Sequence, residues 1–259
     1  MEWALITGAS AGIGLAFAQE FAARGMNLVL TARRMDRLRQ LAETLKAAHR
    51  IQVECISADL ENPPAPNAIF DFTEARGITV DTLVNNAGFG TCGPFAQLDG
   101  AREAAMIQVN CAAVVQLTHL YLPSMIQRGR GDIVILSSTA AFQGVPYMAV
   151  YAASKAFDLL FAEALAQEVK QFGIRVCAVC PGSTESEFDG LAGIPTERTL
   201  QIESAAQVVR TTLRALEAGK HSVVSGFQNL AAVQLQRLAP RRVATAIAGQ
   251  MFRPRGENA

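Results

Sequence analysis

Short apolar runs of five to seven residues recur along the chain, and each is bounded by turn-forming residues. Most of the runs are apolar at every position, which is typical of parallel strands whose two faces are both covered. A parallel sheet also needs a crossover segment between neighbouring strands, so this feature limits the fold more than any other. The runs predict seven strands: Trp3 to Thr7, Asn27 to Ala32, Ile51 to Ser57, Val80 to Asn85, Asp132 to Ser138, Ile174 to Val179 and His221 to Ser225.

The segments between the runs have helical patterns and supply those crossovers. The predicted helices cover residues 13 to 24, 34 to 48, 66 to 76, 99 to 127, 150 to 172 and 204 to 218. Alternating strands and helices predict an α/β fold, a doubly wound Rossmann-type parallel sheet of seven strands with helices on both faces. No shift in composition marks a linker, so residues 1–259 are expected to form one domain. Within it, residues 183–203 are predicted to be a substrate lid loop and residues 227–259 a C-terminal helical tail.

The charge balance excludes one class of partner. The chain has 23 Lys and Arg against 23 Asp and Glu, so no basic surplus is available to bind nucleic acid. No apolar run approaches the roughly 18 residues of a membrane span. Strand-like sequence begins at Trp3, which leaves no room for a leader peptide. We therefore expect a cytoplasmic protein without an integral membrane segment.

The five cysteines are scattered, and their odd number fits a reducing compartment better than a disulfide framework. Cys177 and Cys180 have the spacing of redox and zinc motifs. They lie in a predicted buried strand, however, where residues three apart point to opposite faces. We expect both to fill the core, and no cluster of His, Cys and Asp predicts a metal site.

A glycine-rich turn, TGASAGIG, joins the first strand to the first helix. Gly8, Gly12 and Gly14 would let phosphates approach backbone N–H groups at the helix N-terminus, where a Cβ would block them. Their spacing is one residue longer than the usual dinucleotide fingerprint. The turn favours a nucleotide site but does not establish one alone.

A serine hydrolase is the alternative from a different chemical class. The same turn contains the pattern G-x-S-x-G around Ser10, between a strand and a helix, as the nucleophile of such an enzyme would be. That enzyme needs a paired acid and histidine later in the chain. The three histidines are His49, His119 and His221, and only His221 lies near the start of a late strand.

The end of the second strand indicates which coenzyme would bind. An NAD site has an acidic residue there, which accepts hydrogen bonds from ribose hydroxyls. This chain has Ala32 followed by Arg33 and Arg34, and guanidinium groups suit a 2′-phosphate. Positive charge at a helix start opposes the helix dipole, which argues against two merely solvated arginines. The pattern favours NADP(H).

Tyr151 and Lys155 stand four residues apart on a strongly helical stretch and therefore share one face. An ammonium group close to a phenol favours the phenolate, so we expect the pKa of Tyr151 to be lowered towards working pH. The pair Ser137-Ser138 at the end of the preceding strand adds a hydroxyl donor. This set predicts a general acid at Tyr151.

Together these residues resemble the short-chain dehydrogenase/reductase family, in its short single-domain branch, up to about residue 226. The resemblance implies the catalytic residues Asn110, Ser138, Tyr151 and Lys155. Ser138 is preferred to Ser137 because the family places its serine thirteen positions before the tyrosine. The coenzyme residues that the resemblance implies are Gly8, Ser10, Gly12, Ile13, Gly14, Arg33, Arg34, Asp59, Leu60, Asn86, Ala87, Gly88, Tyr151, Lys155, Pro181, Gly182 and Ser186. Ser186 stands where the family usually has threonine, and it keeps the hydroxyl.

The resemblance implies hydride transfer between a nicotinamide and a carbonyl carbon. In that reaction Tyr151 gives the proton, Ser138 donates a hydrogen bond to the carbonyl oxygen, and Lys155 binds the nicotinamide ribose. Asn110 holds a water that continues the proton path. No metal is implied. A catalytically silent NADP-binding regulator is a third alternative, which the intact Ser-Tyr-Lys set disfavours.

Apolar residues surround these motifs, so the expected substrate is a bulky hydrophobic ketone or aldehyde. The predicted substrate residues are Phe89, Phe142, Gln143, Tyr147 and Phe188. The helices at 99 to 127 and 150 to 172 are apolar on more than one face, which predicts a homodimer or homotetramer. The basic tail has apolar residues at helical spacing, and we expect it to dock on the protein in preference to a membrane.

Overall fold

A computed structural model describes residues 1–194 and 202–253 of the chain. It contains one sheet of seven parallel strands in the order β3-β2-β1-β4-β5-β6-β7. The strands are β1 (Trp3–Thr7), β2 (Asn27–Ala32), β3 (Val53–Ser57), β4 (Val80–Asn85), β5 (Gly131–Leu136), β6 (Ile174–Cys180) and β7 (Ser222–Val224). The strand order reverses between β1 and β4, and in such sheets ligands bind at that point, outside the carboxyl ends of the strands.

Ten α-helices lie in the described part of the chain. They are α1 (Gly12–Ala23), α2 (Met35–Ala48), α3 (Ala65–Glu74), α4 (Gly100–Ile107), α5 (Ala113–Arg128), α6 (Ala149–Val169), α7 (Phe188–Leu191), α8 (Ala205–Glu217), α9 (Phe227–Gln236) and α10 (Arg241–Phe252). The predicted doubly wound α/β fold with seven strands is confirmed.

The sheet separates two hydrophobic cores. Along β1, Ala4 and Ile6 belong to the core that includes side chains of α1, α2 and α8. Leu5 points the other way, into the core formed with α3, α5 and α6. Strand residues alternate between faces, so covering both faces requires every position to be apolar. This explains why the strands appear in the sequence as continuous apolar runs.

The predicted helix at 99 to 127 is in fact three segments. A π-helical turn, Gln108–Ala112, separates α4 from α5. This interruption was not predicted because the apolar pattern continues through it. Smaller differences concern strand ends: β3 begins at Val53 instead of Ile51, and β5 ends at Leu136, two residues before Ser138.

The run Gly100–Arg128 is long and apolar enough to cross a membrane by length and composition, but half of its most apolar window is buried within the protein. Its buried side chains include Val114, Leu117 and Met125, which belong to the core beneath the sheet. That packing accounts for the apolar character of the run.

Candidate active site

A cavity of about 1140 Å³ lies at the carboxyl ends of the strands and extends from the glycine turn to α6. It brings together most of the residues predicted for the site. The catalytic residues that line it are Ser138, Tyr151 and Lys155. The coenzyme residues that line it are Gly8, Ser10, Gly12, Ile13, Arg33, Arg34, Asp59, Leu60, Asn86, Ala87, Gly88, Pro181, Gly182 and Ser186, and the substrate residues are Phe89, Gln143 and Phe188.

Four predicted residues do not line this cavity. Gly14 packs behind the glycine turn, and only glycine fits there because a Cβ would lie 2.4 Å from the carbonyl oxygen of Gly8. Asn110 is fully buried beside it. Phe142 packs against the core of α5 and α6. Tyr147 faces a second cavity of about 580 Å³, which is formed with α10.

The glycine turn has the geometry that a phosphate needs. Gly8 and Gly12 have positive φ angles of 66° and 54°, a conformation that side chains oppose. The N-cap residue of α1, Ala11, provides no side-chain hydrogen bond, and the first turn carries no acidic residue. The N–H groups of this helix end are therefore available to an anion, so the residues present fit the pyrophosphate of a dinucleotide.

Thr7 and Asn86 connect the glycine turn to the segment after β4. The hydroxyl of Thr7 accepts hydrogen bonds from the backbone N–H groups of Asn86 and Ala87, both at 2.9 Å. The amide of Asn86 donates to the carbonyl of Thr7 at 2.8 Å. These contacts hold the two loops at the switch point in one arrangement. Thr7 was not predicted as a site residue, although its position directly before Gly8 was visible in the sequence.

The arginines after β2 lie at the far end of the cavity, where each forms an ion pair with a glutamate. Arg33 lies 3.1 Å from Glu61, and Arg34 lies 2.8 Å from Glu187. Arg34 also donates to the hydroxyl of Ser10 at 3.3 Å. Arg37, which lies 2.7 Å from Glu187, and Arg34 together lower the pKa of that exposed carboxyl. These glutamates were not predicted, because they come from loops distant in sequence.

Tyr151 and Ser138 are buried side by side in the cavity wall. The hydroxyl of Ser138 accepts a hydrogen bond from the N–H of Ala140 at 3.1 Å, which leaves its own hydrogen for another acceptor. Burial raises the pKa of Tyr151, and it outweighs the lowering by Lys155 and by the hydrogen bond with Ser138. The expected net lowering of this pKa is therefore wrong in direction, because the phenol lies in a desolvated site.

Lys155 has a buried partner that the sequence analysis missed. Its ammonium nitrogen donates to the carbonyl of Leu136 at 2.6 Å and to Oδ2 of Asp158 at 3.0 Å. Burial raises the pKa of Asp158 to about 6, although the lysine lowers it. The neighbouring carboxylate raises the pKa of Lys155 against the effect of burial. Asp158 is fully buried, and its other oxygen, Oδ1, has no hydrogen-bond partner among the described residues.

Asn110 lies in the π-helical turn and is held at both ends of its amide. Oδ1 accepts from the N–H of Phe89 at 3.1 Å, and Nδ2 donates to the carbonyl of Phe89 and to Ser154, both at 3.0 Å. Ser154 in turn donates to the carbonyl of Tyr151 at 2.8 Å. The asparagine thus connects the loop after β4 to α6. Irregular π turns are frequent at functional sites.

The loop after β6 approaches the glycine turn. The Cβ of Ser186 lies 3.0 Å from the position that a Cβ on Gly12 would take. A parallel bridge joins Thr184 to Glu203 at the base of the predicted lid. Residues 195–201 of that lid lie outside the described residues, as do residues 254–259 of the tail.

The hydrolase alternative gains no support from the geometry. The hydroxyl of Ser10 accepts from Arg34, and none of the three histidines lines the cavity. Cys177 and Cys180 belong to the cores on opposite faces of the sheet. The described residues contain no group of three His, Cys, Asp or Glu arranged to hold a metal ion.

The chain is similar to known proteins over most of its length. A family model described as short chain dehydrogenase matches residues 2–192. Sulfoacetaldehyde reductase 2 from Chromohalobacter salexigens is 40% identical over 186 residues, which is 71% of this chain and 73% of that protein. The very-long-chain 3-oxoacyl-CoA reductase of Mus musculus is 35% identical over 70% of this chain, which spans 58% of the length of that relative.

Two solved structures are similar over nearly all of both chains. A short-chain dehydrogenase from Sphingobium yanoikuyae in complex with NADPH has a TM-score of 0.84 and 31% identity, over 100% of this chain and 98% of that one. The bulky-bulky ketone specific alcohol dehydrogenase from Comamonas testosteroni has a TM-score of 0.78 and 27% identity, over 100% and 97%.

Proposed function

Since the chain belongs to the short chain dehydrogenase family, we propose that it is an NADP(H)-dependent reductase that converts a bulky hydrophobic ketone or aldehyde into an alcohol. The observation that carries the proposal is the placement of Ser138, Tyr151 and Lys155 in one wall of the cavity whose other end holds the glycine turn and two arginines. Family membership alone makes the protein an oxidoreductase. The coenzyme, the substrate class and the residue roles are our proposal.

The residues present are suited to a dinucleotide. The N-terminus of α1 would receive the pyrophosphate, and Arg33 and Arg34 would bind a 2′-phosphate in competition with Glu61 and Glu187. Arg33 is 59% exposed, so solvent screens its ion pair with Glu61 and the pair contributes little free energy. A doubly charged phosphate could therefore displace Glu61 at little cost. The solved NADPH complex of a relative supports the same coenzyme.

The bound nicotinamide would supply the hydride, and the side chains of this protein would control the proton. Tyr151 carries its proton at neutral pH, since a phenol has a pKa near 10 and burial raises that of Tyr151, so the group is present as a donor to the developing alkoxide. Ser138 would donate a second hydrogen bond to that oxygen. Lys155 would contact the nicotinamide ribose and, through its charge, would ease proton loss from the tyrosine. Asn110 would position the water that returns a proton to this pair.

The rest of the cavity wall supports the proposed substrate class. Its apolar residues are Val145, Met148, Phe188, Leu191, Ile194, Val233, Met251 and Phe252, and the amide side chains of Gln143, Gln228, Asn229, Gln236 and Gln250 lie among them. Such a lining favours a large hydrophobic substrate. The similarity to a dehydrogenase described as specific for bulky-bulky ketones supports this class. The expected cytoplasmic location stays a prediction.

The proposal is tested by following NADPH oxidation in the presence of a panel of hydrophobic ketones and aldehydes. We expect turnover with at least one bulky carbonyl compound and thermal stabilisation by NADPH. A serine hydrolase would instead react with a fluorophosphonate at Ser10, and a silent regulator would bind NADPH without turnover of any carbonyl compound. Labelling that Ser10→Ala abolishes would contradict the reductase assignment.

A further inference from the structure

The outer faces of α9 and α10 expose large apolar side chains. Each helix buries one residue against the protein, Val233 in α9 and Ala248 in α10. Phe252 packs against the core around Tyr151. The other large apolar side chains of α9, of α10 and of the loop between them are mostly exposed, and these are Phe227, Leu230, Leu235, Leu238, Val243, Ile247 and Met251. We call these seven residues, with Arg237, Arg241, Arg242 and Arg253, the tail surface. Arg241, Arg242 and Arg253 flank the apolar residues of α10 on the side of the second cavity, which they line with Tyr147. The helices thus dock on the protein by a narrow inner face and leave a wider apolar face uncovered.

On α10 the exposed apolar residues form a stripe. Val243, Ile247 and Met251 recur at every fourth position, so they lie along one side of the helix. The stripe ends at the active-site cavity, because Met251 lines that cavity as well. Leu191, which is 76% exposed, lies in the same cavity wall. The apolar surface therefore continues to the mouth of the active site.

The charge of the tail surface is of one sign. Residues 227–253 contain four arginines, Arg237, Arg241, Arg242 and Arg253, and no aspartate or glutamate, although the whole chain is charge-balanced. Arg241 and Arg242 form no ion pair with any carboxylate that the structure describes. Arg24 and Arg175, in contrast, each lie within 3.1 Å of a carboxylate. The charges of Arg241 and Arg242 are therefore not balanced by a carboxylate among the described residues.

We propose that the tail surface docks on an anionic lipid membrane, with α9 and α10 lying in the plane of the interface. A helix that exposes apolar side chains on one side and arginines such as Arg241 and Arg242 on its flank binds such a surface, because burial in the acyl boundary and attraction to anionic headgroups add. The tail contacts the protein through Val233 and Ala248, and the proposed membrane contact adds a second partner on its outer face, which differs from the expectation that the tail docks on the protein in preference to a membrane. The docking is peripheral, and it does not depend on the coenzyme or the substrate proposed above.

A second copy of the chain fits this surface less well. In a two-fold symmetric dimer the same patch lies on both sides of the interface. Two tail surfaces facing each other would bring the arginines of both copies together, with no Asp or Glu among residues 227–253 of either copy to balance them. An anionic membrane supplies the missing negative charge. The charge of the tail surface therefore favours an anionic lipid surface over a second copy of the chain.

Docking in this orientation gives the active site access to the bilayer. The stripe on α10 and the rim residue Leu191 would bring the mouth of the cavity to the lipid surface. A hydrophobic carbonyl compound dissolved in the membrane would then reach the cavity without crossing water. Unlike the docking itself, this consequence rests on the proposed function.

The test is cosedimentation of the full-length protein with phosphatidylcholine vesicles, with and without phosphatidylglycerol. We expect binding to the vesicles that contain phosphatidylglycerol and a decrease as salt rises. Arg241→Glu with Arg242→Glu should reduce the partition coefficient at least tenfold, since each basic residue near an anionic surface contributes about fivefold. Ile247→Glu should reduce it as well, because it interrupts the apolar stripe.

The matched control reverses two exposed arginines far from the tail, Arg39→Glu with Arg50→Glu, which makes the same change in net charge. It should lower binding much less than the tail variant does. Unchanged thermal stability in the presence of NADPH shows that each variant is folded. The proposal would be overturned if the unchanged protein did not bind, or if it bound neutral vesicles equally well. It would also be overturned if both double variants lost binding equally. A fall in the solution mass on Ile247→Glu would overturn it as well, because that result would assign the surface to a second copy.

Discussion

The ammonium nitrogen of Lys155 lies 3.0 Å from Oδ2 of Asp158, and both side chains are buried. Removing one member of a buried ion pair leaves an uncompensated polar group, whereas removing both is often tolerated. Lys155→Met should therefore lower the free energy of unfolding by about 3 kcal/mol or more. Adding Asp158→Leu should restore most of that loss without restoring turnover. Urea unfolding and NADPH oxidation separate the two effects, and a fully stable Lys155→Met protein would contradict the pairing.

Asp158 should also make stability depend on pH. Its pKa of about 6 lies above the ordinary value near 4, so the folded protein holds this proton more tightly than the unfolded chain does. The contribution of Asp158 therefore becomes more favourable as pH falls through 6. Relative to Asp158→Asn, the free energy of unfolding of the unchanged protein should rise by about 2 kcal/mol between pH 7 and pH 4.5. If the difference in free energy of unfolding between the two proteins were the same at pH 7 and at pH 4.5, the raised pKa would be disproved.

The charge of Asp158 raises the pKa of Tyr151, and Asp189 has the same effect with a smaller contribution. Under the proposed function, alcohol oxidation uses the phenolate of Tyr151 as the base. Asp158→Asn should therefore shift the pH profile of alcohol oxidation to lower pH, and Asp189→Asn should shift it less in the same direction. The measurement is kcat/KM for oxidation between pH 6 and pH 11. A larger shift in the Asp189 variant would argue against a direct effect of Asp158.

Tyr151→Phe should keep coenzyme affinity and lose turnover by about 10² or more, because a general acid contributes that much. The ring contact with Phe188, whose centroid lies 5.2 Å away, should be preserved. Coenzyme titration and steady-state rates measure the two properties. Turnover close to that of the unchanged protein would remove the tyrosine from the mechanism.

NADPH should bind roughly ten- to a hundredfold more tightly than NADH, since a charge-assisted contact contributes about 1.5 to 3 kcal/mol. Arg33→Ala should remove most of this preference and leave NADH affinity unchanged, and the preference should shrink as salt rises. Glu61→Gln should increase it, because Glu61 otherwise engages Arg33 at 3.1 Å. Arg39→Ala serves as the control. Equal affinity for the two coenzymes at low salt would overturn this interpretation of the end of β2.

Self-association should involve α6. Leu160 is 66% exposed, and Phe157 stacks on Phe161 along the same helix with ring centroids 5.9 Å apart. We expect a homodimer or homotetramer, which Leu160→Glu should dissociate. Light scattering at micromolar concentration measures the mass of both proteins. A monomeric unchanged protein would refute the prediction.

The parts of this protein that follow from local sequence rules were predictable. Strand and helix order, the glycine turn and the pairing of Tyr151 with Lys155 all depend on spacings within one element or one turn. Glu187 was not predicted because it meets Arg37 across 150 residues of chain. Asp158 was missed for another reason: at three residues from Lys155 it resembles a surface ion pair, and only the packing of α6 shows that both are inside. Tyr147 appeared to flank the site, but the fold directs it to the second cavity.

The π turn at Gln108–Ala112 makes the helical run from α4 to α5 one residue longer than a regular helix would be. Deleting a single residue there would convert the run into an uninterrupted α-helix, and it would keep Val114 and Leu117 on the sheet. The same deletion would turn Asn110 away from Phe89 and Ser154. A regular helix and the observed contacts of Asn110 are therefore alternatives at this position. The proposed role of Asn110 thus depends on a local irregularity in the longest helical run of the described residues.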